Sequence, residues 1–176
     1  MVTSRRTLLA GAVAVPLLAI GGAALMQQAQ ASTGGTLLLY DEDLNAGRRF
    51  AAQAQILRGQ PMALNGDRIR FMRDMLRQEP SAIYGVSRYS DQLMVSDIAR
   101  EAGYRPLALI QHRADGGVVP QCQPAAQAIA TVASVAGGRW PEAFAELALG
   151  GTEQCSTGDN RGAIEAAMSW VLVRRG

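Results

Sequence analysis

Lysine is absent from this chain of 176 residues, and every basic side chain other than the single histidine, His112, is an arginine. That absence excludes Schiff-base catalysis, pyridoxal phosphate held on lysine, and a phosphate-binding loop ending in Lys, all of which need a primary amine. Only two cysteines occur, Cys122 and Cys155. Neither stands in the C-x-x-C spacing, or beside the His and Cys partners, that a zinc site requires, and no C-x-x-C-H offers a haem attachment point. No G-x-G-x-x-G follows the first apolar run, so a Rossmann-type nucleotide site finds no support. Gly85-Val86-Ser87 is not the G-x-S-x-G elbow of a serine hydrolase. Aromatic residues make up 5% of the chain. Trp140, before Pro141, and Trp170, in the last apolar run, read as core or helix-entry packing rather than a ligand cage. No internal repeat or low-complexity linker is visible.

A long apolar run occurs once, from Leu8 to Met26. Ser4-Arg5-Arg6-Thr7-Leu8-Leu9 precedes it, and Ala29-Gln30-Ala31 follows. A charged start, an apolar stretch and a small-residue A-x-A site are the three parts of an export signal. The paired arginines resemble the twin-arginine family's Ser/Thr-Arg-Arg-x-apolar-Leu pattern across residues 1–31, with Leu8 where that family often has Phe and Ala10 where it often has Lys. The resemblance implies recognition by the twin-arginine (Tat) export machinery, delivery to the periplasm already folded, and often a cofactor or a partner carried along. The alternative is an uncleaved membrane anchor, since a bilayer crossing takes about 20 apolar residues. Pro16, Gly21 and Gly22 weaken such a helix, and cleavage after Ala31 is the expectation.

Removal of residues 1–31 leaves 145 residues, the size of one domain. Arg5 and Arg6 are the only charges removed, so the net charge of +2 becomes 15 Arg against 15 Asp plus Glu. A neutral domain of this kind is not expected to bind nucleic acid or to hold an anionic membrane, and it keeps no stable anchor once the signal is gone. Cys122 and Cys155 would meet an oxidising compartment, where a disulfide is expected. It would close a loop of about 30 residues, for up to ~3–4 kcal/mol. Two independent thiols or a metal pair are the alternatives.

The domain reads as α/β. Thr36–Tyr40 is a compact apolar run and predicts a buried strand. Asn45–Arg58 carries Phe50, Ala54 and Leu57 at helical spacing, with Gly59 as its stop. Residues 61–64 predict a second strand. Asn65-Gly66-Asp67 opens a helix with Ile69, Met72 and Leu76 inward, ended by Glu79-Pro80. Residues 82–86 predict a third strand, Ser90 caps a helix carrying Met94, Ile98 and Ala102, and residues 107–110 form a fourth strand. This rhythm predicts a single three-layer α/β domain with a mainly parallel sheet and helices on both faces. From 116 to 162 the pattern breaks into a helical and loop insertion. There Ile129, Val132 and Val135 mark one helix, and Pro141, Phe144, Leu147 and Ala148 mark another. The run 168–173 predicts a C-terminal edge strand.

In an open α/β sheet the ligand crevice lies beyond the carboxyl ends of the strands. Four clusters fall there: Asp41-Glu42-Asp43, Asn65-Gly66-Asp67, Ser87-Arg88-Tyr89-Ser90 and Gln111-His112-Arg113. Asp41-x-Asp43 after the first strand, with Ser87 ending another, resembles the opening motifs of haloacid-dehalogenase-type phosphatases. The resemblance implies an aspartate nucleophile, a second aspartate moving the proton, and magnesium. It covers about six residues and fails at that family's lysine and later paired carboxylates; Asp159 lies in a Gly-rich loop instead. A response-regulator receiver fails for want of the same lysine.

Asp41, Asp43, Ser87 and His112 are therefore the catalytic candidates, and Arg88, Tyr89 and Asp67 the ligand-binding candidates. Arg88 and Tyr89 stand at a helix start, where backbone N–H groups favour anions. No metal ligand set is visible, and the residues do not say which cofactor, if any, travels with the chain. Two functions are compatible with these residues. One is an exported accessory or ligand-binding protein, associated with a periplasmic redox or uptake partner. The other is a periplasmic hydrolase using Asp41 and Asp43 with a metal, or Ser87 with His112.

Overall fold

The structure, a computed structural model, describes residues 35–150 and 165–175. The twin-arginine segment 1–31, Cys155 and Asp159 lie outside the described residues. The strands are β1 (Thr36–Tyr40), β2 (Pro61–Ala63), β3 (Ala82–Ser87), β4 (Tyr104–His112), β5 (Val118–Pro120) and β6 (Ala167–Arg174). They form one sheet in the order β2-β1-β3-β6-β4-β5. The helices are α1 (Asn45–Ile56), α2 (Arg68–Leu76), α3 (Tyr89–Glu101), α4 (Ala126–Ala136) and α5 (Trp140–Ala148), with a 3-10 turn at Gly137–Arg139 joining the last two.

The α/β class holds, but the sheet is mixed rather than mainly parallel. β1 pairs in parallel with β2 and β3, whereas β3–β6, β6–β4 and β4–β5 are antiparallel. The last strand is not at an edge: β6 lies between β3 and β4 and hydrogen-bonds to both. Ala167–Val173 is buried throughout, and a strand covered on both faces needs just such a nearly continuous apolar run, here broken only by Ser169. The glycines at 116 and 117 do not end the sheet. They turn β4 back into β5, with Gln111 opposite Val119, so the segment expected as an insertion supplies the edge strand.

Alternate residues of the strands feed two separate cores. Leu38, Tyr84, Val86, Ile110 and Val171 pack with Phe50 of α1, Ile129 of α4 and Phe144 of α5. Leu39, Ile83, Trp170 and Leu172 pack with Met72 of α2 and Val95 of α3. Each fully buried side chain of this size contributes about 1.5–3 kcal/mol. The Phe144 ring lies 5.6 Å from that of Phe50 and 5.7 Å from that of Tyr84, binding α1 and α5 to β3.

Several helical faces differ from those read from periodicity. Ile69 is exposed on α2, and α3 buries Val95 and Ala99 most deeply, with Met94 and Ile98 of the expected face partly buried against the same core and Ala102 exposed. α3 starts at Tyr89 with no side-chain cap, so Ser90 lies inside it. On α4, Val132 and Val135 face outward while Ala126, Ala130, Ala133 and Ile129 face the sheet. Alanines allow closer approach to β4 than valines, and in a sequence this uniformly apolar the period alone does not select the face. α1 ends at a left-handed Arg58 (φ 65°), with the Gly59 N–H closing on the Ala54 carbonyl at 2.8 Å. Gly59 sits close against two leucines: a Cβ there would lie 2.8 Å from Leu149 Cδ1 and 2.9 Å from Leu38 Cδ1, so those side-chain ends would have to move.

Candidate functional site

The connection from β1 leads to β2 on one side, and the chain then returns past β1 to β3 on the other. The carboxyl ends of β1 and β3 therefore flank a switch point, the place where open α/β sheets take their ligands. Asp41 and Asp43 follow β1; Ser87 and Arg88 close β3. The structure brings three of the four predicted clusters together here. Arg88 Nε lies 3.3 Å from Asp41 Oδ2, and Arg88 Nη2 donates to Asp43 Oδ2 at 3.2 Å. Asn65 Nδ2 donates to Glu42 Oε1 at 3.4 Å. Asp41 is buried, and its Oδ1 accepts the Asp43 N–H at 3.0 Å, closing an Asx turn.

α1 is pressed against this turn. A Cβ on Gly47 would stand 2.1 Å from the Asp41 carbonyl oxygen, so only glycine admits the helix at that distance. From the lead-in to β6, Glu165 Oε1 accepts the Ala46 N–H at 2.6 Å at the start of α1. Here a carboxylate meets the positive end of the helix.

Two residues not singled out in the sequence complete the cluster. Asp91, in the first turn of α3, is buried, and Arg68 Nη1 lies 3.4 Å from its Oδ1. Burial pushes the Asp91 carboxyl above its ordinary value, Arg68 opposes this, and the nearby Asp41 adds to the rise. Arg88 is held still more firmly in its charged form by Asp41 first, then Asp43 and Asp91. The sequence signal for Asp91 and Arg68 is their place in the first turns of the helices after β3 and β2.

The remaining candidates are spent on local structure or lie elsewhere. Asp67 caps α2, accepting the Arg70 N–H at 3.1 Å. Tyr89 projects from the first turn of α3, exposed. Ser87 is buried; its hydroxyl donates to the Arg88 carbonyl at 3.0 Å and accepts from Trp170 Nε1 at 3.0 Å. Trp170 and Ser169 are neighbours on β6 and face opposite sides of the sheet. Because Ser87 bonds to the first and His112 to the second, the Ser87 and His112 side chains lie on opposite faces. They form no nucleophile–base pair. Among the described residues no group of three or more His, Cys, Asp or Glu is arranged to hold a metal ion.

His112 has its own surroundings. It is 2% exposed, Nε2 lies 2.8 Å from Ser169 Oγ, and the ring stacks on Trp140 with centroids 3.5 Å apart and planes 6° from parallel. Nδ1 is buried without a hydrogen-bond partner. Burial pulls the imidazole pKa down to about 3, so the ring is neutral near pH 7. Beside it a cleft of about 320 Å³ is lined by His112, Arg113, Gly117, Val118, Val135 and Trp140 among others. Nothing in the sequence marks the His112–Trp140 pair, which lie 28 positions apart and meet only when α5 folds over the end of β4.

Cys122 is exposed and forms no disulfide among the described residues. Among those residues no helix is long and apolar enough to cross a membrane. Comparison of the chain with protein-family models, with curated proteins and with solved structures found no match.

Proposed function

We propose that the chain is an accessory or ligand-binding protein exported to the periplasm by the twin-arginine route, working beside a redox or uptake partner. The observation that carries this reading is the ion-paired switch point. Arg88 pairs with both Asp41 and Asp43, and Arg68 stands against Asp91, where a catalytic aspartate would need to face its substrate. The two cores on alternate strand residues support a three-layer packing, a rigid frame for presenting a binding surface. The neutral charge expected after cleavage disfavours nucleic acid as the partner.

The alternative is a hydrolase. The convergence of Asp41, Asp43 and Arg88 at the switch point favours it, an arrangement able to receive a phosphoryl group if Arg88 turned from the aspartates to the substrate.

Native mass spectrometry of the protein isolated from the periplasm of its own host tests the proposal. A mass of residues 32–176 less two hydrogens, accompanied by a bound small molecule or polypeptide, is the expected result. A chain of full length retained in the membrane would overturn the export reading. Phosphatase or esterase turnover by the purified protein that disappears in a folded Asp41→Asn variant would establish the hydrolase instead.

A further inference from the structure

The cleft beside His112 carries a single full charge among its described lining residues, the guanidinium of Arg113, which forms no ion pair among the described residues. Among the described residues no carboxylate lines the cleft. A planar cation that no described carboxylate pairs with, on a residue lining a cavity, complements a carboxylate, which it can hold through two parallel hydrogen bonds. Val118, Val135 and Trp140 give the cleft an apolar wall, and Ser134 contributes a hydroxyl. At about 320 Å³ the space lies at the small end of ligand pockets.

The second polar group is the His112 imidazole. Ser169 and the Trp140 ring fix its orientation, and Nδ1 lacks a partner. A buried polar atom left without a hydrogen bond is destabilising, and a ligand that supplies the bond recovers that loss. Nδ1 is a donor in one tautomer and an acceptor in the other. A hydroxyl satisfies either, because it both donates and accepts.

We propose that this cleft binds a small hydroxycarboxylate, its carboxylate on Arg113, its hydroxyl toward His112 Nδ1 and its apolar body against Val118, Val135 and Trp140. This assignment rests on the ligand-binding reading above and adds the site and the chemical class. The imidazole serves as a neutral hydrogen-bonding group and takes no part in proton transfer.

The single histidine makes the test direct, since its ring nitrogen signals in the ¹⁵N-labelled full chain need no assignment. Mandelate is the probe, with phenylacetate (no hydroxyl) and mandelamide (no charge) as controls. Mandelate at millimolar concentration is expected to shift the Nδ1 signal. Phenylacetate should bind more weakly and leave Nδ1 little changed, and mandelamide should bind at least about tenfold more weakly than mandelate. Arg113→Gln, an exposed substitution that keeps the fold, should weaken mandelate binding about tenfold or more, the usual loss for a charged hydrogen bond. Equal binding of mandelate and mandelamide, or an unchanged affinity in Arg113→Gln, would overturn the carboxylate assignment while leaving a ligand site in place. Silence of the His112 signals toward these probes and toward a panel of neutral and cationic compounds would remove the cleft as a site altogether.

Discussion

Trp170 fills the space a side chain at Gly85 would need. The two residues face each other across β3 and β6, and a Cβ on Gly85 would lie 2.0 Å from Trp170 Cζ2 and 2.2 Å from Cε2. The indole Nε1–H meanwhile donates to Ser87 Oγ on the same strand. One ring therefore closes the α2/α3 core and satisfies the hydroxyl that ends β3.

Gly85→Ala is expected to destabilise the domain by about 3 kcal/mol or more, at the upper end of overpacking, because both strands are central and fixed by ladders on each side. Trp170→Leu in the same chain should recover part of the loss by vacating the overlap, although alone it leaves a cavity. Urea unfolding of the two single variants and the double variant measures the coupling. Additive losses would show that the ring does not occupy that space in solution.

Acid should unfold the protein partly through His112. Its folded pKa of about 3 lies below the ordinary 6.5, so between those values the unfolded chain holds a proton that the folded chain does not. Stability then falls as pH falls through this window, by about 1.4 kcal/mol per pH unit from this group, and is unaffected by it above pH 6.5. Asp91 works in the opposite sense, because its raised pKa favours the folded state on the acid side. Denaturation at pH 5 and 4 should give a slope in His112→Gln shallower by that amount, and from pH 7 to 5 shallower by somewhat less, whatever the variant's absolute stability. Identical slopes would mean that the imidazole is hydrated in the native state.

Glu165 should behave as a remote cap of α1. Glu165→Gln, which keeps the acceptor and loses the charge, is expected to lower stability by about 0.5–1 kcal/mol, and Glu165→Ala by about 1–2 kcal/mol. Because α1 presses on the Asp41 turn, hydrogen exchange at the Ala46 amide should speed up in both variants, more in the second. An unchanged Ala46 amide would show that the carboxylate is not held there.

Much of the architecture was legible from local pattern. The apolar runs of β1, β3 and β6, the opening of α2 at Asn65-Gly66-Asp67 and proline at the start of α5 all follow from backbone and side-chain preferences that act over a few residues. The carboxyl-end crevice was legible too, since chain order alone puts Asp41 after β1 and Arg88 after β3. Sheet order was not: nothing in 168–173 tells an edge strand from a central one except its nearly continuous apolarity, and that equally fits a parallel interior strand.

The sequence by itself marked the strands β1 to β4 and β6 and the five helices, though not β5, and determined which chemistries are closed to a chain without lysine. Only the tertiary structure decided that β6 lies antiparallel between β3 and β4, that Ser87 and His112 face opposite sides, that Arg88 pairs with Asp41 and Asp43, and that Trp140 lies flat on His112. The first set depends on interactions between near neighbours along the chain. The second depends on long-range pairing and on which of several apolar faces packs best, a choice settled by the whole core at once.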